Sequence, residues 1–581
     1  MKVMALALMM QKVINNIFRY KVYIASVFFI SLIIFFAFLI TFRMWTLESW
    51  NYPVGYTADH LFTLFFSSKY ASGDLVPFLL KDIASLNAPL GAHLSDLPGS
   101  EDLTYWSIGL LQKIFGLFLG SNISLLLILI ANAISIYFFF IYMRISNAFS
   151  IAGSVLFGLS HYFLLRNFEH VILTHALHLP WLFVVLDWFF QATTVWTRRK
   201  VIFVNLISFF TGLLFVYYTY IFMQLILFLF IYNLYFKRKD QSKMIFFAAI
   251  SCMAGLLITQ LDTLYFRIGN GANPNILTRD LASIEIYSLK IADMLIPFTH
   301  SISKLQSFAH KIYYDQNFLI HTEPGYSYLG LIGGIAFLFA ALEPLLSFLK
   351  IIQSKVTHFT IYLYWLLMFS LAGGVNFFIS VVTGVHSFRC TNRYSIFILM
   401  ISLLVFFKFM DRFFTPTKKY IICIAIILIS LLDLPQRKSQ LDFQAVKAAV
   451  DSDIEFVSKV ESYLPTGAKV FQLPVVEFPE YPKINLMTDF EHFRPSFYTN
   501  NYSWSYGAVK GRNDNAWQRD VEKLPAKEMI IGLQERGFSA LYINKRAYKD
   551  FEVTFQKNIE EVLLSKNKGK IESKDLVIYR L

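Results

Sequence analysis

Charge is scarce in this chain. Only 16% of its 581 residues are Asp, Glu, Lys or Arg, where a soluble domain carries roughly 25%. Cysteine is scarcer still. Cys252, Cys390 and Cys423 cannot build a disulfide framework, and Cys252 and Cys423 sit within apolar runs, so thiol redox chemistry is not the theme. The C-terminal quarter contains no nucleotide-binding glycine loop and no P-loop. What the chain has instead is apolar surface: 56% of residues are hydrophobic and 18% aromatic, with a mean hydropathy of +0.51. One water-soluble core cannot hide that much, which excludes a soluble enzyme, a disordered chain and a fibrous protein. The composition is that of a polytopic membrane protein.

Apolar runs of about 17–25 residues read as helical spans, because only a helix satisfies its own backbone in hydrocarbon. Eleven runs qualify, near residues 22–42, 121–143, 148–165, 171–190, 201–217, 218–236, 244–262, 326–349, 359–380, 394–410 and 419–435. The two runs between 201 and 236 are divided at Val216-Tyr217-Tyr218, since the whole stretch is too long for one span. The first run lacks a small-residue cleavage site and reads as a retained anchor. The net charge of +13 invites a nucleic-acid reading, but 18 of the 30 basic residues before position 436 fall in alternate loops, such as 198–200, 237–243 and 408–419. That asymmetry is a topology signal. No nucleic-acid partner is expected. The N-terminus is predicted to be cytoplasmic, and eleven spans put the C-terminus outside.

Residues 436–581 hold 22 Lys and Arg and 20 Asp and Glu, against 30 and 19 in the first 435 residues. This break predicts an all-α membrane domain over 1–435 and a small soluble α/β domain over 436–581, on the outer side. The strand signals lie at Lys469–Leu473, Phe538–Asn544 and 575–581, with a helix at 526–536. Two long outer loops, 43–120 and 265–325, are longer than helix connections need to be and mark a functional face.

The first outer loop carries Asp59 just before the apolar stretch 61–66, then Asp96 and Asp102. Leu103–Leu119 has helical spacing and suits a helix lying along the membrane surface, which Ser100 or Asp102 would cap. Asp96 and Asp102 can be solvated loop acids. Asp59 is harder to dismiss, because a carboxylate among membrane-packed residues is costly unless it has work or a partner. A long acidic loop after the first span, surface helices within it, further outer loops and an outer C-terminal domain together resemble the C-type glycosyltransferase superfamily (GT-C), in particular bacterial members that modify envelope glycans. The resemblance implies a sugar donor on a polyprenyl phosphate, a glycan or lipid-linked acceptor, and a catalytic acid in the first outer loop. Asp59 matches that acid and would act as general base, with Asp96 and Asp102 as supporting carboxylates. No Asp-x-Asp or Asp-Glu pair follows the first span, so no cofactor is implied with certainty and a divalent metal is left open.

Other outer residues extend the site. Arg166, Glu169 and His170 stand between the third and fourth runs, where Arg166 suits the donor phosphate, Glu169 and His170 suit supporting places around it, and all three suit interfacial anchoring as well. His175 and His178, three apart, would share a helix face and suit a metal, a phosphate or a hydrogen-bonded core. The second loop carries Arg267, Arg279, His321 and Glu323 and reads as a lid. Arg389 and Arg393 lie four apart on the side that the topology rule disfavours, so they suit a donor phosphate or, alternatively, headgroup snorkelling. In the tail, Trp504, Tyr506 and Arg512 form an aromatic and basic cluster, fit either for an acceptor glycan or for a structural turn. Rival readings are a lipid-linked sugar flippase or transporter, and a glycan polymerase. The transporter would want charges in the middle of several spans, whereas the acids here cluster at outer ends.

The topology is directly testable. A reporter that works only outside the cytoplasm should be active when fused after Leu581 and silent when fused after Lys239; the reverse pattern would move every candidate residue to the wrong side.

Overall fold

Helix formation follows the apolar runs. The computed structural model describes residues 2–581 except 100, 317–322, 324, 353–357, 436–442, 550–554 and 565–568, together with the side chains of 2–19, 515, 555 and 564. Ser100, His321 and the expected domain junction at 436 therefore lie outside the described residues. Among those described, seven helices are long and apolar enough to cross a membrane: Tyr20–Phe42, Leu117–Tyr142, Asn147–Arg166, Val216–Tyr235, Lys239–Thr259, Leu331–Phe348 and Thr391–Met410. Each coincides with a run read from the sequence.

The other four runs land on shorter helices, Leu179–Phe190, Arg198–Leu214, His358–Ser370 and Pro416–Leu432. Local chemistry explains two of them. The run at 171–190 is interrupted at 175–178, and Pro180 then opens the helix that remains. The run at 359–380 divides at Gly373-Gly374, where Gly373 has φ +66°, and resumes as Val375–Thr383. The break expected at Val216 falls one residue earlier, at Phe215, whose backbone is extended.

The first long loop, 43–120, folds as the helix Asp59–Ser72, a two-residue antiparallel pairing of Asp82–Ile83 with Ala92–His93, and the helix Asp102–Phe115. That last helix stops short of the expected Leu119 because Gly116, at φ +89°, turns the chain into Leu117–Tyr142. Asp102 does not cap it. Its carboxylate instead accepts from the Phe78 backbone N–H at 2.9 Å and from Lys81 Nζ at 3.2 Å.

The C-terminal region carries a five-stranded sheet in the order Ser503–Trp504, Lys469–Leu473, Phe538–Asn544, Leu576–Arg580, Lys570–Glu572. The first three strands are parallel and the last two antiparallel. The helix Ala526–Glu535 closes one face through Met529, Ile530 and Leu533, all buried against Phe471, Leu541 and Ile543.

The sequence suggests that the apolar stretch after Asp59 packs on the membrane; in the structure its rings pack against those of the C-terminal region. Phe65 stacks on Phe493 at 3.8 Å with rings 6° from parallel, and Phe62 packs on Phe478 and Phe490. Polar contacts fix the same seam. The Asn87 and Ala88 backbone N–H groups donate to the Tyr506 and Trp504 carbonyls, and Tyr56 Oη donates to Asp453 Oδ2 at 2.8 Å. Arg494 holds both oxygens of Asp453, at 2.7 and 2.8 Å. Both partners are buried, so removing one leaves an uncompensated charge. Asp453→Ala should therefore cost about 3–5 kcal/mol, read as a lower unfolding temperature of the detergent-solubilised protein by intrinsic tryptophan fluorescence. An unchanged melting curve would show that the pair carries no stability.

Candidate functional site

The three long segments meet at one end of the helical bundle and enclose a cavity of about 1130 Å³. Five of the sequence-predicted residues line it: Asp59, His170, Glu323, Arg389 and Arg393. Asp59 begins its helix after Ala58, which is held at φ +46°. Its Oδ2 lies 3.7 Å from His170 Nε2, and the same nitrogen lies 4.0 Å from Glu323 Oε1.

These groups titrate far apart. Recession into the cavity raises Asp59 from the ordinary carboxylate range to about 7, with Glu169, Asp489, Glu480 and Glu323 adding repulsion. Burial also opposes ionisation of Glu323, but His170, Arg166, Arg393 and a hydrogen bond from Asn392 Nδ2 at 2.8 Å overcome it and hold that group at about 2. Burial pushes His170 down to about 4, so the imidazole is neutral at physiological pH. The cavity thus places a carboxyl raised towards neutral pH beside one held ionised, with a neutral imidazole between them. A group poised near neutral pH is suited to general acid–base work.

The arginines are held by rings rather than by acids. The Arg393 guanidinium lies 4.0 Å from the Tyr217 ring centroid and that of Arg389 lies 4.6 Å from Tyr287. Among the described residues no carboxylate is within salt-bridge distance of either, and Arg393 Nε has no hydrogen-bond partner. Planar, always-charged donors left open on a cavity wall suit an anion such as phosphate.

The remaining candidates lie elsewhere. Arg166 is fully buried behind the cavity, between Tyr162 and Tyr326, with Nη1 3.5 Å from Glu323 Oε2. It is thus placed to orient that carboxylate. Glu169 accepts from Tyr326 Oη at 2.7 Å. Asp96 is saturated by Arg512, Arg267 and Asn273, and Asp102 by the Phe78 N–H and Lys81. Neither lines the cavity. His175 and His178 do not share a helix face, because residues 175–178 are not helical. His175 Nδ1 pairs with the Val171 carbonyl at 3.1 Å and His178 is buried against Tyr218. Trp504 and Tyr506 belong to the buried core, and Arg512 is the clamp on Asp96. Among the described residues no group of three or more His, Cys, Asp or Glu is placed to hold a metal ion.

Several lining residues had no individual role in the sequence reading: Arg279, named only within the second loop, and Glu480, Tyr481, Asp489, Phe490 and Lys510. Arg279 binds Glu480 at two points, 2.6 and 2.8 Å, across the gap between the second loop and the C-terminal region. Its one advance signal is the same as for Arg389, a cation on the disfavoured side. The tail residues gave none.

No protein-family model and no curated protein matches the chain. Similar solved structures do exist. The oligosaccharyltransferase AglB from Archaeoglobus fulgidus, solved with an inhibitory peptide and a dolichol-phosphate, is 8% identical over 97% of this chain and 74% of its own, with a TM-score of 0.45. ArnT from Cupriavidus metallidurans is 10% identical in its apo state over 96% and 97% of the two chains, with a TM-score of 0.44; its complex with undecaprenyl phosphate aligns equally well, at 9% identity. At these identities and TM-scores nothing is carried over from them, and the chemistry of the cavity rests on its own residues.

The raised Asp59 value has a measurable sign. A carboxyl with a folded-state pKa above its unfolded one favours the fold while protonated, so stability falls as pH rises from about 4 to about 7. Difference infrared spectra of the native protein against Asp59→Asn should contain a protonated-carboxyl band that disappears with a midpoint near pH 7. A midpoint near 4 would place Asp59 in open water.

Proposed function

We propose that this chain is an integral membrane glycosyltransferase that moves a sugar from a polyprenyl-phosphate donor to a cell-envelope glycan or lipid-linked acceptor, at the outer face of the cytoplasmic membrane. One observation carries the reading: Asp59, raised towards neutral pH, shares a cavity with Arg389 and Arg393, neither of which is within salt-bridge distance of a carboxylate among the described residues. The cavity is also lined by Val216 and Leu256, from two of the long apolar helices. A lipid-borne donor reaches the arginines from the membrane side there.

In the reaction, an acceptor hydroxyl oxygen attacks the anomeric carbon of the donor sugar. Its proton passes to the Asp59 carboxylate. The bond from that carbon to the phosphate oxygen breaks, and the electron pair leaves on polyprenyl phosphate, whose charge Arg389 and Arg393 hold. Asp59 then returns its proton to water. Glu323, kept ionised by its cationic neighbours, orients His170 beside Asp59, and Arg166 orients Glu323. This reading takes the N-terminus as cytoplasmic and the region over 436–581 as outer, which the asymmetry of basic residues among the loops supports.

Purified protein with a synthetic polyprenyl-phosphate sugar and envelope acceptor provides the test. Asp59→Asn keeps volume and removes the base, and transfer should fall roughly 10²–10⁴-fold. Arg389→Lys and Arg393→Lys keep charge but lose the planar fork, and should raise the donor KM. The native rate should climb with pH through about 7. Native-rate transfer by Asp59→Asn would refute its role as base.

A further inference from the structure

The cavity has two chemically different walls. Arg389 and Arg393 mark one. The other comes from the C-terminal region, as Glu480, Tyr481, Asp489, Phe490 and Lys510. This second wall is built onto the helix that begins at Asp59, because Phe490 packs at 5.0 Å on Phe62 of that helix. Asp489 Oδ1 accepts from the Tyr481 backbone N–H at 3.0 Å, and the Lys510 N–H donates to the Phe478 carbonyl at 2.7 Å, which fixes both strips of chain.

The charges on this wall nearly cancel. Arg279 occupies both oxygens of Glu480, leaving one carboxyl, Asp489, and one ammonium, Lys510. Burial raises Asp489 to about 6, with Glu480 adding repulsion. An acceptor bearing phosphate or carboxylate at Asp489 would bring its charge against that carboxyl and against Asp59 in a recessed site, where like charges repel more strongly than in open water. A ring beside a carboxylate suits an uncharged sugar instead: the C–H face lies on Tyr481 and hydroxyls donate to Asp489.

We propose that this tail-side wall is the acceptor subsite, with Asp489 and Tyr481 as its specificity-determining pair, and that the acceptor presents an uncharged sugar to Asp59. The inference rests on the glycosyltransferase reading. It moves the acceptor from Trp504, Tyr506 and Arg512, which lie in the core and the Asp96 clamp, to residues that face the cavity.

The experiment uses the purified full-length protein, a synthetic polyprenyl-phosphate sugar, and neutral and anion-bearing oligosaccharide fractions of the cell's own envelope. The native protein should transfer to the neutral fraction with an acceptor KM about tenfold or more below that for the anionic fraction. Loss of one charge-assisted hydrogen bond in Asp489→Asn should raise the acceptor KM about tenfold, while the donor KM moves less than about twofold. Tyr481→Ala should raise the acceptor KM as well, and Tyr481→Phe should restore it, which separates ring stacking from misfolding. An acceptor KM unmoved in both Asp489→Asn and Tyr481→Ala overturns the inference, as does equal use of the two fractions. Absence of transfer to every fraction by the native protein overturns the glycosyltransferase reading itself.

Discussion

Buried charge at the end of the helical bundle governs this structure. An ionised group withdrawn from water must find a partner or lose its ionisation. Asp96 is fully buried, and it finds three. Arg512 comes from the C-terminal region, Arg267 and Asn273 from the second outer loop, and Asp96 itself from the first. Burial works against its ionisation, but those hydrogen bonds hold it below the usual carboxylate range. One carboxylate therefore ties together the three segments that form the cavity. Lys81 does similar work between Asp102 and Asp262, and Arg494 between Asp453 and Glu491.

With those groups matched, the charges left over acquire meaning. Asp59 has no cation against it and rises towards neutrality; Glu323 has Arg166 and Arg393 nearby and stays ionised. The two carboxyls differ because of their neighbours, not their chemistry, and such divergence within one cavity separates a group able to exchange a proton from one that fixes charge. Among the described residues neither Arg389 nor Arg393 is within salt-bridge distance of a carboxylate, and aromatic faces hold both. Ring support keeps a guanidinium in place while leaving its donors available.

Aromatic packing sets the distances. The stack of Phe65 on Phe493 and the contacts of Phe62 with Phe478 and Phe490 press the C-terminal region onto the helix of Asp59. The same packing that buries apolar surface carries Tyr481 and Asp489 into the cavity wall. Stability and site geometry share these contacts, so a change at Phe490 or Phe62 alters both.

The membrane class, the helical runs, the composition break near residue 436 and the long outer loops were legible in the sequence, because hydropathy and charge counts depend only on neighbours along the chain. Asp59, Arg389 and Arg393 were legible too, since each sat where its charge was out of place. Helix length was less so: Gly373-Gly374 and Pro180 shortened runs whose hydropathy looked continuous. Asp96, Trp504 and Tyr506 resembled site residues in sequence, yet tertiary packing gave them partners or buried them. Arg279 carried the same mark as Arg389, but Glu480 and Asp489 had none. Glu480 is 201 residues from the arginine that neutralises it, and Asp489 is 430 positions beyond the carboxyl it repels. Pairings at that separation leave no trace in local pattern. Only the closed fold decides which charges are matched and which remain to face the cavity.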